Sequence, residues 1–281
     1  MKVLDLFSGI GGFSLGLERA GMETVAFCEF DKHAQKVLKK HWPDVPVYDD
    51  VRELTNDRLK SDGITGIDVI TGGFPCQDIS VAGKQAGIGE GTRSGLWSEV
   101  ARLIDDIQPR FAIMENVTAL ISGDSGRWFG RVLGDLAEIG YDAEWHCIPA
   151  SELGAHHHRD RVWIITYPNS NRLQVRSDVR GINNEASGGE QQGNKNNRVY
   201  AQENATHTRC REQSQGRLYF RIRGEIKSIQ ENGRRQIKAE PCLGGRVNDV
   251  PGRLDRLKQL GNSVVPQIPE LIGRAIMQAE A

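Results

Sequence analysis

Val3-Leu4-Asp5-Leu6-Phe7-Ser8-Gly9-Ile10-Gly11-Gly12 opens the chain with a strand-forming run that passes into a glycine-rich turn. The residues that follow, Gly12 to Ala20, keep an apolar face at three-to-four spacing, so strand, turn and helix come in immediate succession. In a sheet with crossover helices this is the first unit, and glycines without a Cβ let the backbone approach a ligand at the carboxyl edge. The spacing is not Gly-x-Gly-x-x-Gly, and a glycine turn alone serves a tight bend equally well.

Further strands are expected at Thr24 to Glu29, Val45 to Tyr48, Asp68 to Thr71, Phe111 to Glu115 and Arg161 to Thr166. Between them, Asp31 to His41, Ser98 to Ile107 and Trp128 to Ile139 read as helices. Residues 1–167 therefore read as doubly wound α/β with a parallel sheet. Glu29 closes the second strand about twenty residues after the glycine turn, where a carboxylate accepts hydrogen bonds from both hydroxyls of a ribose. Asp50 follows the third strand and is placed to meet an adenine amino group, to N-cap a helix over Val51 to Lys60, or to do both.

The fourth strand runs into Gly72-Gly73-Phe74-Pro75-Cys76-Gln77, which puts a thiol in a glycine- and proline-shaped loop at the same edge. A thiol of ordinary pKa, about 8.5, needs local positive charge or a helix terminus to become a thiolate nucleophile. One strand over, Glu115 emerges at the carboxyl edge, suited to hold a pyrimidine through its ring nitrogen and exocyclic amine. Arg159 and Arg161 alternate along an extended chain and would face one side, one meeting a pyrimidine carbonyl and the other ordering the site or meeting phosphate. Three consecutive histidines, His156 to His158, diverge around the chain and lack a partner cluster at ligand spacing, so no metal is expected.

Composition bounds the rest. The 281 residues carry a formal charge of -1, yet Ser170 to Glu240 holds 14 Lys+Arg against 8 Asp+Glu, and the remainder holds 22 against 29. A basic, Asn- and Gln-rich insert in an acidic chain is what phosphate contact requires, and on composition alone a solvated loop with chance charge fits as well. Five cysteines at wide spacings, with no Cys-x-x-Cys, fit a reducing compartment. No stretch approaches the roughly 20 apolar residues of a membrane span, and the amino terminus has no signal-peptide pattern, so a cytoplasmic location is expected. Pro266 to Met277 reads as a closing helix with Pro269 in its first turn.

In order, Asp5-Leu6-Phe7-Ser8-Gly9-Ile10-Gly11-Gly12, Pro75-Cys76-Gln77, Glu115-Asn116-Val117, Arg159-Asp160-Arg161 and Gly261-Asn262-Ser263-Val264 resemble the DNA (cytosine-5)-methyltransferase family of bacteria and their phages. The resemblance covers about residues 1–167 and 252–281, leaving 168–251 as the variable target-recognition region, partly disordered without DNA. It implies a Rossmann-like, class I S-adenosylmethionine-dependent methyltransferase sheet, with the C-terminal segment packed back on it. In the implied reaction Cys76 adds to carbon 6 of a flipped cytosine while Glu115 engages the ring nitrogen, and carbon 5 takes the methyl group.

The resemblance also implies cofactor contacts from Phe7, Gly9, Gly11, Glu29, Asp50, Pro75, Asn262 and Ser263, and cytosine contact from Arg159 beside Arg161. A loop from Ser80 to Gly95 would close over double-stranded DNA through Ser80, Gln85 and Arg93; on position alone, either Gln85 or a residue of the basic insert is a candidate to fill the gap left by the flipped base. The chain is expected to act as a monomer, with a cognate restriction endonuclease in the same system. His157 stands where the family has glutamine, and Pro251 to Leu260 is a compact version of the family's ninth motif. A transfer-RNA-modifying branch of the family carries Cys-Phe-Thr ahead of its last motifs, and that tripeptide does not occur in this sequence.

Overall fold

The strand that opens the chain, β1 (Lys2–Leu6), lies third in a seven-stranded sheet. A computed structural model describes residues 1–75, 95–155, 157–169, 222, 226 and 259–280. After β1 come α1 (Gly12–Arg19), β2 (Glu23–Cys28), α2 (Lys32–His41), β3 (Val47–Tyr48), α3 (Asn56–Ser61) and β4 (Val69–Gly72). Then follow α4 (Leu96–Ile107), β5 (Phe111–Val117), α5 (Ala119–Ser122), α6 (Arg127–Glu138), β6 (Tyr141–Pro149), β7 (Asp160–Pro168) and α7 (Gln267–Ala279).

The strand order is β3-β2-β1-β4-β5-β7-β6. The pairs from β3 to β5 are parallel, as the alternation of strands and helices predicts. The last two are not: β7 runs antiparallel to both β5 and β6, which corrects the all-parallel expectation. The connection from Pro149 to Asp160 is too short to house a crossover helix, and a direct return makes antiparallel neighbours. Sequence reading also passed over β6 itself. Its buried face carries Glu144 and His146, which interrupt the apolar alternation that marks a strand; Tyr167 Oη donates to Glu144 Oε1 at 2.8 Å on that face.

Two helix starts, those of α2 and α3, follow side-chain capping chemistry. Asp31 accepts from the amides of His33 and Ala34 at the head of α2. The helix expected over Val51 to Lys60 begins instead at Asn56, because Thr55 supplies the cap by accepting from the Arg58 amide at 3.1 Å. Asp50 accordingly does not cap a helix; its carboxylate accepts from the amide and guanidinium of Arg52.

Side chains of β1 alternate between two cores, Leu4 and Leu6 on one face and Val3 on the other. The first core is closed by α4 and α6 through Trp97, Val100, Leu103, Val132 and Leu136. The second is closed by Phe13 and Leu17 of α1 and by Ile268, Leu271, Ile272 and Ile276 of α7. Ile222 and Ile226, both helical, are buried in that second cluster; otherwise residues 170–258 lie outside the described residues.

Helices α1 and α7 meet through glycines. A Cβ on Gly16 would sit 2.3 Å from the Pro266 carbonyl oxygen, and one on Gly12 would sit 2.5 Å from that of Val264. Both obstacles are backbone, so relief needs movement of α7 as a body. Gly16→Ala is expected to destabilise the chain by roughly 1–3 kcal/mol through overpacking, outweighing the ~1 kcal/mol that alanine gains in helix propensity. Urea denaturation measures it, and a variant as stable as the parent would contradict this packing.

Candidate active site

The order of strands reverses between β1 and β4, and a crevice opens at such a point beyond the carboxyl ends of the strands. Phe7 turns the chain out of β1 with φ 50°, a conformation that costs a non-glycine residue ~1–3 kcal/mol unless its surroundings enforce it. Ser8 secures the turn by donating from Oγ to the Asp5 carbonyl at 2.6 Å, while its amide reaches the Cys28 carbonyl at 3.2 Å. Gly9 follows with φ 54° and open space where a Cβ would point.

Glu29, at the end of β2, joins that turn. Its carboxylate accepts from the Gly9 amide and from the Asp31 amide, each at 2.7 Å. Each oxygen keeps a free lone pair, so the group can still accept from a pair of hydroxyls. Burial pushes the Glu29 carboxyl up, and the amides of Asp31, Gly9 and Phe30 pull it back. Gln35 Nε2 donates to the Glu29 carbonyl and, at 2.7 Å, to Asp49 Oδ1, which fixes the ends of β2 and β3 relative to each other. Beside Glu29 the ring of Phe30 is 72% exposed, a large apolar face left open at the rim. Gly11 is different: a Cβ there would strike the Trp42 ring at 2.5 Å, so its glycine is required by packing against α2.

Thirty-nine residues on from β4, β5 delivers Glu115 to the same edge. Its Oε1 lies 2.9 Å from Arg161 Nε, with the two side chains only 12% and 22% exposed. Burial pushes the Glu115 carboxyl up, against the opposing pull of Arg161 and then Arg159. From β4, Gly73 leaves room: a Cβ there would come within 3.4 Å of Glu115 Oε2. Asn116 donates from Nδ2 to the Phe74 carbonyl at 3.1 Å, holding the Gly73–Pro75 segment against β5.

Arg161 pairs with Glu115, but Arg159 does not follow from alternation along a strand. Its φ is 39°, β7 starts only at Asp160, and its Nη1 and Nη2 donate to the carbonyls of Gly261 and Ser263 at 2.7 Å each. Cys76, Ser80, Gln85 and Arg93 lie outside the described residues, which stop at Pro75 and resume at Gly95. Cys28 carries a free thiol, pushed up to about 12 by burial and by the acidic groups around it, so it is not a nucleophile near neutral pH. Among the described residues no group of three or more His, Cys, Asp or Glu is placed to hold a metal ion, and no helix is long and apolar enough to cross a membrane.

The family of C-5 cytosine-specific DNA methylases matches residues 1–242. The chain belongs to that family. A type II methyltransferase of Bacillus subtilis is 36% identical over 169 residues, 59% of this chain and 41% of its own length. One of Neisseria gonorrhoeae is 37% identical over 166 residues, 59% of this chain and 50% of its own. The chain thus spans about half the length of these relatives. Its fold is shared with a solved structure described as a prophage-encoded DNA modification methyltransferase of E. coli, at 20% identity, TM-score 0.60 and 99% coverage of both chains.

Three residues of this methylase-family chain escaped sequence reading as contributors to the site. Phe30 carried a usable signal, an aromatic between two acidic residues just past a strand end. Asn116 was legible only as part of a motif, since its bond to the Phe74 carbonyl crosses two strands. Gln35 gave no signal, because a buried glutamine in a helix has meaning only through its partners.

Proposed function

We propose that the chain is a DNA cytosine-5 methyltransferase that uses S-adenosylmethionine and acts on a cytosine swung out of duplex DNA. The observation that carries this reading is Glu115: only 12% exposed, paired with Arg161, and beside the segment that leads to Pro75 and Cys76, at the sheet edge that also bears the Glu29 cleft. The cleft fits the donor. Glu29 receives the ribose hydroxyls, the open space at Gly9 admits the ligand to the backbone, and the exposed face of Phe30 packs on the adenine. Asp50 accepts two bonds from Arg52 on each oxygen, so it meets the adenine amino group only when Arg52 moves off it. When bound, S-adenosylmethionine supplies a methyl group on a sulfonium.

The residues of the chain prepare the acceptor. The Cys76 thiolate adds to carbon 6 while Glu115 gives a proton to the ring nitrogen, which places the electron pair at carbon 5. After carbon 5 has taken the methyl group, a base takes the proton from carbon 5, the double bond re-forms and expels the Cys76 thiolate, and Glu115 recovers its proton from the ring nitrogen. Arg161 orients Glu115 throughout. Double-stranded DNA is the partner, contacted by the Ser80–Gly95 loop and the basic 170–240 region. A monomer working alongside a cognate restriction endonuclease is the reading that fits type II relatives.

Methyl-labelled S-adenosylmethionine is to be offered with unmethylated plasmid DNA and, separately, with transfer RNA. Label in DNA, located at 5-methylcytosine by bisulfite sequencing, is the expected result, and Cys76→Ser should abolish it while retaining DNA binding. Label in RNA alone would overturn the assignment of substrate.

A further inference from the structure

Residues 259–262 are helical, and the helix ends beside the crevice. The carbonyls at a helix end have no partner within the helix and favour a cation. Arg159 supplies both needs from about a hundred residues away: Nη1 takes the Gly261 carbonyl and Nη2 the Ser263 carbonyl, at 2.7 Å each. Asn262 lies between the two gripped carbonyls and is exposed. On its other side the turn rests on the start of α1, where Val264 O and Ser263 Oγ fill the space a Gly12 Cβ would need. Arg159 holds this grip from a left-handed backbone, φ 39°, an unfavourable conformation for arginine that the two bonds offset.

Arg159 also stands two residues before Arg161, whose Nε lies 2.9 Å from Glu115 Oε1. Among the described residues, the charged groups acting on that carboxyl are Arg161 of β7 and Arg159 just before it, while the β4 side offers only Gly73. We propose that Arg159 is a positioning residue with two separable roles: its fork seats the Gly261–Ser263 turn on the cofactor crevice, and its charge acts on Glu115. The first role rests on the cofactor reading above, and the second does not. Arg159 is thereby assigned away from direct cytosine contact, which is left to Glu115 and Arg161.

Lysine separates the roles, because an ammonium keeps the charge but cannot span two carbonyls as a planar fork does. The full-length chain is to be compared with Arg159→Lys and Arg159→Ala in three measurements: S-adenosylhomocysteine affinity by calorimetry, amide exchange at residues 259–264, and the Glu115 titration by infrared difference against Glu115→Gln. Both variants should bind S-adenosylhomocysteine roughly tenfold or more weakly, as loss of charge-assisted hydrogen bonds implies, and exchange faster at the turn. Only Arg159→Ala should move the Glu115 midpoint upward.

Unchanged affinity and exchange in Arg159→Lys, or an unmoved Glu115 midpoint in Arg159→Ala, would overturn the proposal. If Arg159→Ala does not fold, Arg159→Lys alone decides: a weakened turn with an unmoved midpoint supports the two roles, and a turn as firm as in the parent refutes the fork. A parent chain that fails to bind S-adenosylhomocysteine at all would instead count against the cofactor reading, while the exchange and titration arms still judge Arg159.

Discussion

Replacing Glu115 by glutamine should reduce methyl transfer by about 10²–10⁴, the usual contribution of a positioned proton donor, while the chain stays folded. Glutamine preserves the shape of the side chain and an acceptor for Arg161, but it has no proton to give to a ring nitrogen. Burial raises the Glu115 carboxyl and so favours the neutral form that can donate a proton, against the opposing pull of Arg161 and Arg159. Arg161→Ala should behave differently. It removes the partner at 2.9 Å and leaves a buried carboxylate unpaired. A fully buried pair broken in this way costs ~3–5 kcal/mol; because both side chains are partly exposed and Glu115 can take up a proton once Arg161 is gone, the expected cost lies below that range. Initial rates with unmethylated plasmid DNA, beside thermal melts, distinguish the two. Turnover within tenfold of the parent in Glu115→Gln would remove Glu115 from the chemistry.

The second large effect concerns Asp5, which is fully buried and accepts from Ser14 Oγ and Thr71 Oγ1, each at 2.8 Å. Burial raises its carboxyl from 3.8 to about 7, with the two hydroxyls opposing. In the unfolded chain the group ionises near 3.8, and in the folded chain only near 7, so between these values the folded state holds the extra proton. Stability from Asp5 is therefore full below pH 4, declines as pH rises toward 7, and levels off above it. At ~1.4 kcal/mol per pKa unit, the decline is of the order of 4 kcal/mol.

Asp5→Asn should flatten that slope in urea denaturation between pH 4 and 7. Glu29 and Glu115 are also raised, and each adds a slope of the same sign, so Glu29→Gln and Glu115→Gln serve as controls. The lowered carboxyls of Asp49, Asp50, Asp62 and Asp124 act below the unfolded value, outside this window. An undiminished decline in Asp5→Asn would show that the proton is held elsewhere.

Much of this fold was legible because its signals are local. Each parallel strand from β1 to β5 is a short apolar run, and α1, α2, α4 and α6 show helical spacing within a single stretch of chain. What escaped has meaning only across the sheet. β6 hid behind Glu144 and His146, whose burial depends on neighbouring elements. Gly11, Gly12 and Gly16 read as a flexible ligand turn and an ordinary helix; in the folded chain they are the contact surfaces for Trp42, Val264 and Pro266.

By itself the sequence determined which chemical groups are available and where along the chain they stand: a glycine turn, an acid twenty residues on, Glu115 at a strand end, two arginines and a closing helix. Those follow from residue identity and local periodicity, which need no partner. Only the tertiary structure decided which arginine serves which neighbour. Arg161 meets Glu115 across β5 and β7, and Arg159 turns away to hold Gly261 and Ser263. The physical reason is that the direction of a guanidinium is set by the carbonyls and carboxylates around it, and chain folding brings those together from a hundred residues apart.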